Sequence, residues 1–158
     1  MDPEQKKQAL RKITHGVYVI GVQQGEKLNA FTATWVSQVS FEPPLVMAAI
    51  RKDSVSFGMI QQSKVFVLNF LGVGQKALAQ HFLKPAHLGG DKLEGVAHRP
   101  GALGAPVLEE AIAYVECRVK EIHAAGDHSL VVGEVVEARV QRDADPLTLK
   151  ETGWHYGG

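Results

Sequence analysis

The sequence predicts a mainly β protein in which about six or seven strands form a closed antiparallel barrel, with two or three short helices at its rim. Short apolar stretches rich in β-branched and aromatic residues recur along the chain, and turn-forming Gly, Pro and Asn separate them. Helical spacing of apolar residues is confined to brief segments. Because 158 residues with 45% hydrophobic content can bury one core, we expect a single domain spanning residues 1–158.

The composition disfavours several classes of function. The chain carries 17 Lys and Arg and 17 Asp and Glu residues, so no net field favours nucleic acid or a membrane as partner. Cys117 is the one cysteine, which excludes an intramolecular disulfide and a cysteine-rich zinc site. The start MDPEQKKQALRKI lacks the apolar core of a signal peptide, and no apolar run approaches the roughly 20 residues that span a bilayer. We therefore expect a cytoplasmic protein.

The first third of the chain predicts a helix followed by a hairpin. Asp2 before Pro3 is typical of an N-cap and first helical turn, and Leu10 and Ile13 give the segment up to Thr14 a weak apolar stripe. The run GVYVIGV is β-branched and aromatic, and QQGEKLN supplies turn chemistry before extended character resumes. We expect a short amphipathic helix and then two paired strands.

The middle of the chain alternates strands and helices. Pro43 and Pro44 cannot donate ladder hydrogen bonds, so they lie between strands or on an edge, and LVMAAI after them is a buried strand. Asp53 or Ser54 can cap a short helix, and KVFVLNFL is the next strand. The inward face of that helix is expected to comprise Val55, Met59 and Ile60.

A second helix and a loop come next. ALAQHFLK has Ala77, Leu78 and Phe82 at helical spacing, and Pro85 ends it. Residues 85–106 hold many Gly, Pro and His residues without periodicity, which predicts a long surface loop.

The last third is β again. In the next strand one face is expected to be buried and the other solvated. The buried face comprises Ala113, Val115, Cys117 and Val119, which alternate with Tyr114, Glu116, Arg118 and Lys120. AAGDHS forms a turn, and LVVGEVVEARV is a long strand in which Gly133 can mark a bulge.

The stretch NAFTATWVSQVSFEPPL, residues 29–45, is unusual because its apolar residues alternate with small hydroxyl residues rather than charged ones. Together with Lys52, Ser54 and Ser56 at the predicted helix start, these hydroxyls could form a phosphate pocket of O–H donors, one ammonium and helix N–H groups. Alternatively, Thr and Ser fill a β surface while Arg51 and Lys52 are solvated. Composition alone favours the second interpretation, since Thr is a preferred strand residue.

The histidines and the cysteine carry weaker signals. His128 lies in a predicted turn, where it is either a proton donor and ligand contact or merely exposed. The remaining histidines show no metal-ligand spacing, so we expect no metal site. Cys117 lies on an apolar face, where a free cysteine usually behaves as a small hydrophobe. GxSxG, GxxxxGK[ST] and GxGxxG are absent, which disfavours a conventional dinucleotide fold.

Several of these segments, in this order, resemble the flavin reductase-like, FMN-binding split-barrel family over about residues 10–158. They are TATWVSQVSFEPPLVMAAIRKDSVS, FVLNFL, ALAQHF, GAPVLEEAIAYVECRV and AAGDHSLVVGEV. The resemblance implies a six-stranded antiparallel Greek-key split barrel, usually a homodimer. It also implies that FMN, or FAD, is bound and is reduced by NADH or NADPH. Trp35 stands where many members have a small residue, a feature shared with the ferric reductase and flavoredoxin-like subgroup.

The resemblance also implies roles for individual residues. A flavin-facing wall is implied for Thr32, Ala33, Thr34 and Trp35, continued by Ser37, Val39 and Ser40. Phosphate binding is implied for Lys52, Ser54 and Ser56, with Arg51 as a neighbour. Phe82 matches an aromatic residue near the flavin, and Asn69 is interpreted as structural. His128 matches a histidine that faces the nicotinamide or flavin, and it is the candidate catalytic residue.

The implied function is an NAD(P)H:flavin oxidoreductase that transfers a hydride from a nicotinamide to FMN. Electrons would then pass to a partner oxygenase, a ferric complex or another acceptor. The alternative is a flavin-binding electron-transfer protein, flavoredoxin-like, without NAD(P)H activity of its own.

Overall fold

A seven-stranded antiparallel sheet forms the body of the protein in the computed structural model, which describes residues 1–83 and 92–158. Across this sheet the order is β2 (Lys27–Ala33), β1 (Tyr18–Gln24), β5 (Val65–Phe70), β8 (Ala113–Ala124), β9 (His128–Val140), β4 (Leu45–Arg51) and β3 (Val36–Ser40). A two-stranded sheet pairs β6 (His98–Pro100) with β7 (Pro106–Leu108). The helices of the described residues are α1 (Pro3–Leu10), α2 (Val55–Ser63), α3 (Lys76–His81) and α4 (Leu149–Thr152).

The sheet curls because its two edge strands are neighbours in the chain. β2 and β3 lie at opposite ends of the strand order, yet only Thr34 and Trp35 separate them. Three chain steps span at most about 11 Å, so the two edges must approach each other. The described sheet has no ladder between β2 and β3, and the link between them pairs with β4, where the Trp35 carbonyl accepts from Ala49 N at 2.9 Å.

The predicted class, mainly β and antiparallel with a few short helices, is confirmed. Two details are wrong: the main sheet has seven strands rather than the six that the resemblance implies, and the barrel that the residue pattern predicts to be closed is not closed. One physical reason explains both the extra strand and the open barrel. The extended stretch that looks continuous from residue 29 to residue 40 is broken at Thr34 and Trp35 into two strands that pair with different neighbours.

The barrel interior is filled by the inward residues of the main sheet and closed at one end by α2. The buried members of this core include Ile20, Val22, Ile50, Phe66, Leu68, Cys117 and Val131, with Phe57, Met59 and Ile60 from α2. Burying side chains of this size contributes about 1.5–3 kcal/mol each. Val55 was expected to face inward but is 58% exposed, because the helix starts there and Phe57 takes the inward position instead.

A second apolar layer covers the outer face of β1 and β2. It brings α3, the segment after residue 92 and the C-terminal segment together, through Val17, Val19, Leu71, Ala79, Phe82, Leu93, Leu108 and Leu147. These elements consequently stand beside the split edge of the barrel, where they complete the cleft described below.

The clean alternation expected for β8 is wrong at Tyr114 and Glu116, which are both buried. Residues 101–108 cover this face, and the Glu116 carboxylate accepts from Ala102 N at 3.0 Å and from Leu103 N at 2.9 Å. The inward phase of β8 changes only after Val119, at the second register shift, so that Ile122 follows Val115, Cys117 and Val119 on the core side.

Gly133 is required by close packing. A Cβ there would lie 2.7 Å from the Phe66 ring and 2.8 Å from the Cys117 Cβ. The irregularity near it lies on β8, between Val119 and Glu121, rather than at Gly133.

Of the remaining predictions, some are confirmed and others are wrong. Asp2 caps α1 by accepting from Glu4 N at 2.8 Å, as predicted, but α1 buries no residue, so the expected apolar stripe is wrong. Of the predicted loop 85–106, residues 85–91, including the expected helix stop Pro85, lie outside the described residues, while 98–100 form β6. Asn69 is structural: its amide donates to Pro106 O and accepts from Leu108 N. Among the helices that the structure describes, none combines the length and hydrophobicity needed to cross a membrane.

Candidate functional site

A cleft of about 870 Å³ opens where the barrel is split. Its walls come from the end of β2 and the link to β3, from the end of β4 and the start of α2, from the end of α3, and from the C-terminal segment. The lining residues are Asn29, Phe31, Thr32, Ala33, Thr34, Trp35, Ala49, Ile50, Arg51, Asp53, Ser54, Val55, Ser56, Phe82, Leu83, Lys92, Leu149, Trp154, His155 and Tyr156. The volume lies in the range of pockets that hold cofactor-sized ligands.

Thr32 and Thr34 line the same wall but differ in hydrogen bonding. The Thr32 hydroxyl donates to Ala79 O at 2.6 Å, and Thr32 N donates to Phe82 O at 3.2 Å, so this residue ties β2 to α3. Thr34 is buried, and its Oγ1 has no hydrogen-bond partner within the described part of the chain. An unpaired buried hydroxyl costs about 1–3 kcal/mol. Thr34 is therefore available for a polar edge of a ligand.

The N-terminus of α2 lies at a second wall. Ser54 is its N-cap: the hydroxyl accepts from Phe57 N at 3.1 Å and donates to Arg51 O at 2.9 Å. Ser56 is buried and its hydroxyl accepts from Asn29 Nδ2 at 2.9 Å. The first-turn N–H groups of a helix have no intrahelical partners, and the helix dipole favours an anion there. This end of the cleft suits a phosphate group.

Charged side chains flank that helix end. Arg51 binds Asp53 through two hydrogen bonds, at 3.0 and 2.7 Å, and this contact holds the pKa of Asp53 below its ordinary value. Lys92 also lines the cleft, and burial lowers the pKa of its ammonium to about 8. The cleft lining therefore includes two cationic side chains, of which Arg51 is paired with Asp53 beside the α2 N-terminus.

The C-terminal segment forms the last wall. Tyr156 donates or accepts a hydrogen bond with His128 Nε2 at 2.7 Å, and His128 Nδ1 lies 2.6 Å from Asp127 Oδ1. The Trp35 ring packs on both, with ring centroids 4.6 Å from His128 and 5.0 Å from Tyr156. Burial raises the pKa of Tyr156, and the bond to His128 lowers the pKa of Asp127.

The structure brings most of the predicted site residues together and leaves five outside the cleft. Those that line it are Thr32, Ala33, Thr34, Trp35, Ser54, Ser56 and Phe82. Those absent from its described lining are Ser37, Val39, Ser40, Lys52 and His128.

The five predicted residues are absent from the cleft lining for different reasons. β3 leads away from the cleft along the sheet edge, so Ser37 lines a smaller hollow of about 310 Å³ instead, and Val39 is 50% exposed. Lys52 is exposed in the turn after β4, and its N–H donates to Asp127 O. His128 is absent from the described lining, and its ring packs against Trp35 at a centroid distance of 4.6 Å and against Tyr156 at 6.0 Å.

Sequence reasoning did not select Asn29, Phe31, Ala49, Ile50, Asp53, Val55, Leu83, Lys92, Leu149, Trp154, His155 and Tyr156. For Asp53 the sequence did carry a usable signal: Arg51 lies two positions earlier in the chain, and the two side chains form the observed ion pair. For the C-terminal aromatic residues the sequence carries no local signal, because their location at the cleft depends on tertiary contacts. Within residues 1–83 and 92–158, no three His, Cys, Asp or Glu side chains gather as metal ligands would.

Comparison with known proteins gives a consistent result. The family model described as flavin reductase like domain matches residues 10–158. Diflavin flavoprotein A 1 of Synechocystis is 39% identical over 141 residues, which make up 89% of this chain and 24% of that protein. The chain thus spans about a quarter of the length of the curated relatives it matches.

Solved structures agree on the fold. The NADH:FAD oxidoreductase SgcE6 of Streptomyces globisporus superposes with a TM-score of 0.81 at 30% identity, covering 89% of this chain and 84% of that one. An FMN-binding protein of Thermus thermophilus, solved with bound 1-cyclohex-2-enone, gives a TM-score of 0.74 at 31% identity, covering 82% and 72%.

Proposed function

We propose, on the premise that the chain belongs to the flavin reductase-like domain family, that it binds FMN in the cleft and catalyses its reduction by NADH or NADPH. FAD is a possible second flavin ligand. The observation that carries the proposal is the coincidence, in one cleft, of an unpaired buried Thr34 hydroxyl and a helix N-terminus flanked by Arg51.

The residues of the cleft fit a flavin in three ways. Phe31 and Trp35 supply aromatic surface for a flat ring system. The Thr34 hydroxyl suits a hydrogen-bonding edge of that ring. The α2 N-terminus, with Ser54 as its cap, suits a terminal phosphate.

The division of chemical work follows from this lining. A bound flavin would supply the redox chemistry by accepting a hydride from a reduced nicotinamide. The residues of the chain position the two rings and exclude water, and the cations Arg51 and Lys92 offset negative charge on the ligands. No general base is required for hydride transfer, which agrees with a cleft lined mainly by hydroxyl, aromatic and aliphatic side chains.

An absorbance experiment tests the proposal. Purified protein is titrated with FMN, and NADH or NADPH is then added without oxygen. We expect a bound-flavin spectrum that bleaches with at least one of the two nicotinamides. A protein that takes up neither FMN nor FAD contradicts the proposal.

A second candidate function is transfer of electrons between flavins without a nicotinamide reaction. It is favoured by one observation: the relatives whose name includes diflavin flavoprotein are about four times as long as the matched region. In this case the acceptor or donor is a second flavin-bearing partner. A flavin-bound protein that stays oxidised with NADH and NADPH, but bleaches with a chemical reductant, supports this function instead.

We also propose that the chain forms a homodimer through the end of the barrel away from α2. Phe41 is 91% exposed in the turn between β3 and β4, beside the smaller hollow whose lining includes Tyr18, Phe70 and Val135. An exposed aromatic knob and an apolar hollow on one face are self-complementary, as a twofold interface requires. A partner oxygenase or another electron acceptor remains part of the proposed function.

A further inference from the structure

A chain of hydrogen bonds links solvent-exposed Asp127 to the cleft wall through His128 and Tyr156. His128 Nδ1 lies 2.6 Å from Asp127 Oδ1, and His128 Nε2 lies 2.7 Å from the Tyr156 hydroxyl. The contact with Asp127 favours a proton on Nδ1, so in the neutral imidazole Nε2 accepts the Tyr156 O–H. Both imidazole nitrogens are therefore engaged within the protein.

The place of His128 differs from that of its two aromatic neighbours. Trp35 and Tyr156 line the cleft, whereas His128 is not among the described lining residues and its side chain is 12% exposed. The imidazole packs on the Trp35 ring at 4.6 Å. His128 is therefore placed to act on a ligand through Trp35 and Tyr156, the two lining residues that its ring contacts.

The terminal segment that carries Tyr156 has few other anchors near the cleft. Gly157 O accepts from Arg11 Nε at 3.4 Å, a long hydrogen bond, and a Cβ on Gly157 would lie 3.4 Å from the Trp35 ring. Tyr156 is 42% exposed. The bond to His128 and the packing on Trp35, at a centroid distance of 5.0 Å, together hold the phenol ring in place.

We propose that Tyr156 contacts the flat aromatic ring of the ligand, flavin or nicotinamide, and that His128 and Asp127 are positioning residues acting through it. This inference rests on the proposed function for the identity of the ligand. It reassigns His128, which the sequence analysis took as the residue that meets the ligand.

The first test needs no ligand. Hydrogen–deuterium exchange of the C-terminal peptide, residues 149–158, is measured in the ligand-free wild type, Tyr156→Phe, His128→Ala and the double variant. We expect faster exchange in each single variant and no further increase in the double variant, because both changes remove the same hydrogen bond. Unchanged exchange in His128→Ala overturns the positioning role, whether or not the protein binds flavin.

The second test measures FMN affinity by flavin fluorescence in the same four proteins. Tyr156→Phe and His128→Ala are each expected to weaken FMN binding about three- to tenfold. The double variant is expected to lose no more affinity than the more affected of these two single variants. His128→Gln, which places an amide near the position of Nε2, should bind within about twofold of wild type. His123→Ala, at an exposed histidine paired with Glu121, is the matched control and should change neither measurement.

The outcomes are separable. Independent, multiplying losses in the double variant show that His128 acts on the ligand without Tyr156, and they overturn the inference. Failure of the wild type to bind FMN or FAD contradicts the proposed function, while the exchange experiment still decides whether His128 positions Tyr156.

Discussion

Thr32 and Thr34 show how two identical side chains on one wall take different roles. Each lies on the split side of the barrel, but only Thr32 has a partner, the Ala79 carbonyl at 2.6 Å. The Thr34 hydroxyl is buried without one in the described part of the chain. A polar atom left in this state lowers the stability of the free protein and becomes useful when a ligand pairs with it.

Replacing each threonine with valine separates the two roles. Thr34→Val is expected to leave the free energy of unfolding unchanged or to raise it by about 1 kcal/mol, and to weaken FMN binding about fivefold. Thr32→Val, the matched control, is expected to lower the free energy of unfolding by about 1 kcal/mol. Urea unfolding and flavin titration measure the two quantities. A marked loss of stability in Thr34→Val would show that its hydroxyl is already paired.

Cys117 illustrates burial without function. Its side chain is fully buried among Phe66 and Gly133, and burial, with a smaller contribution from the Glu116 carboxylate, raises the pKa of the thiol to about 12. The thiolate is the reactive form, so this cysteine is unsuited to nucleophilic catalysis.

The raised pKa predicts a pH dependence. In the unfolded chain the thiol ionises near its ordinary value of 9.0, while in the folded chain it keeps its proton to about pH 12. The contribution of the thiol to stability is therefore complete below pH 9 and is lost as the pH rises from there toward 12. Urea unfolding of the wild type and Cys117→Ala between pH 7 and about 10 checks this. The difference in stability between them should fall with rising pH, and a constant difference contradicts the prediction.

At the scale of elements, the start of α2 serves both the fold and the candidate site. Ser54 ends the turn after β4 and caps the helix, so the same hydroxyl that organises Phe57 N lies at the cleft. The capping role was readable from the sequence, because Ser before an apolar helical segment is a common N-terminus. The interruption of the extended stretch at Thr34 and Trp35 was not, because it depends on Trp35 O pairing with β4.

Two substitutions at Ser54 distinguish capping from phosphate binding. Ser54→Ala should lower the free energy of unfolding by about 1 kcal/mol, whereas Ser54→Asp keeps a capping oxygen and should stay within about 0.5 kcal/mol of wild type. The added carboxylate should weaken FMN binding about tenfold by repulsion of the phosphate. Riboflavin, which lacks the phosphate, is the control ligand. If Ser54→Asp weakens the binding of FMN and of riboflavin equally, the phosphate does not bind at the α2 N-terminus.

At the scale of the whole molecule, the curled sheet leaves its two ends unlike each other. One end is filled by α2, and the other exposes a turn with Phe41 beside the smaller hollow. Exposed aromatic side chains next to apolar hollows are typical of protein interfaces.

If the chain forms the proposed homodimer, one charged substitution at the interface should change its oligomeric state. Phe41→Asp should convert the dimer to a monomer without unfolding it, because the side chain is 91% exposed. Sedimentation velocity measures the mass, and circular dichroism checks the fold. Val73→Asp, at a position 60% exposed outside that hollow, is the control and should remain dimeric. A wild type that sediments as a monomer, or a Phe41→Asp protein that stays dimeric, contradicts the proposed interface.

The sequence by itself determined the antiparallel β class, the β1–β2 hairpin, the Asp2 helix cap and the family, and it limited the cap of α2 to Asp53 or Ser54. These features depend on local propensity, on turn residues and on motif order, all of which can be recognised in the sequence. It also pointed to Thr32, Thr34, Ser54 and Phe82, because the segments that carry them have recognisable residue patterns.

Only the tertiary structure decided where the extended stretch breaks, at Thr34 and Trp35, the burial of Glu116, and the place of Lys92 and Tyr156 in the cleft. Each of these depends on contacts between segments far apart in sequence, such as His128 with Tyr156 and Glu116 with Leu103. Local pattern reports whether a residue faces the core of its own strand, but not which distant segment covers the other face. For the same reason β3 looked like a continuation of the cleft wall, although its pairing with β4 directs Ser37 and Val39 away from the cleft.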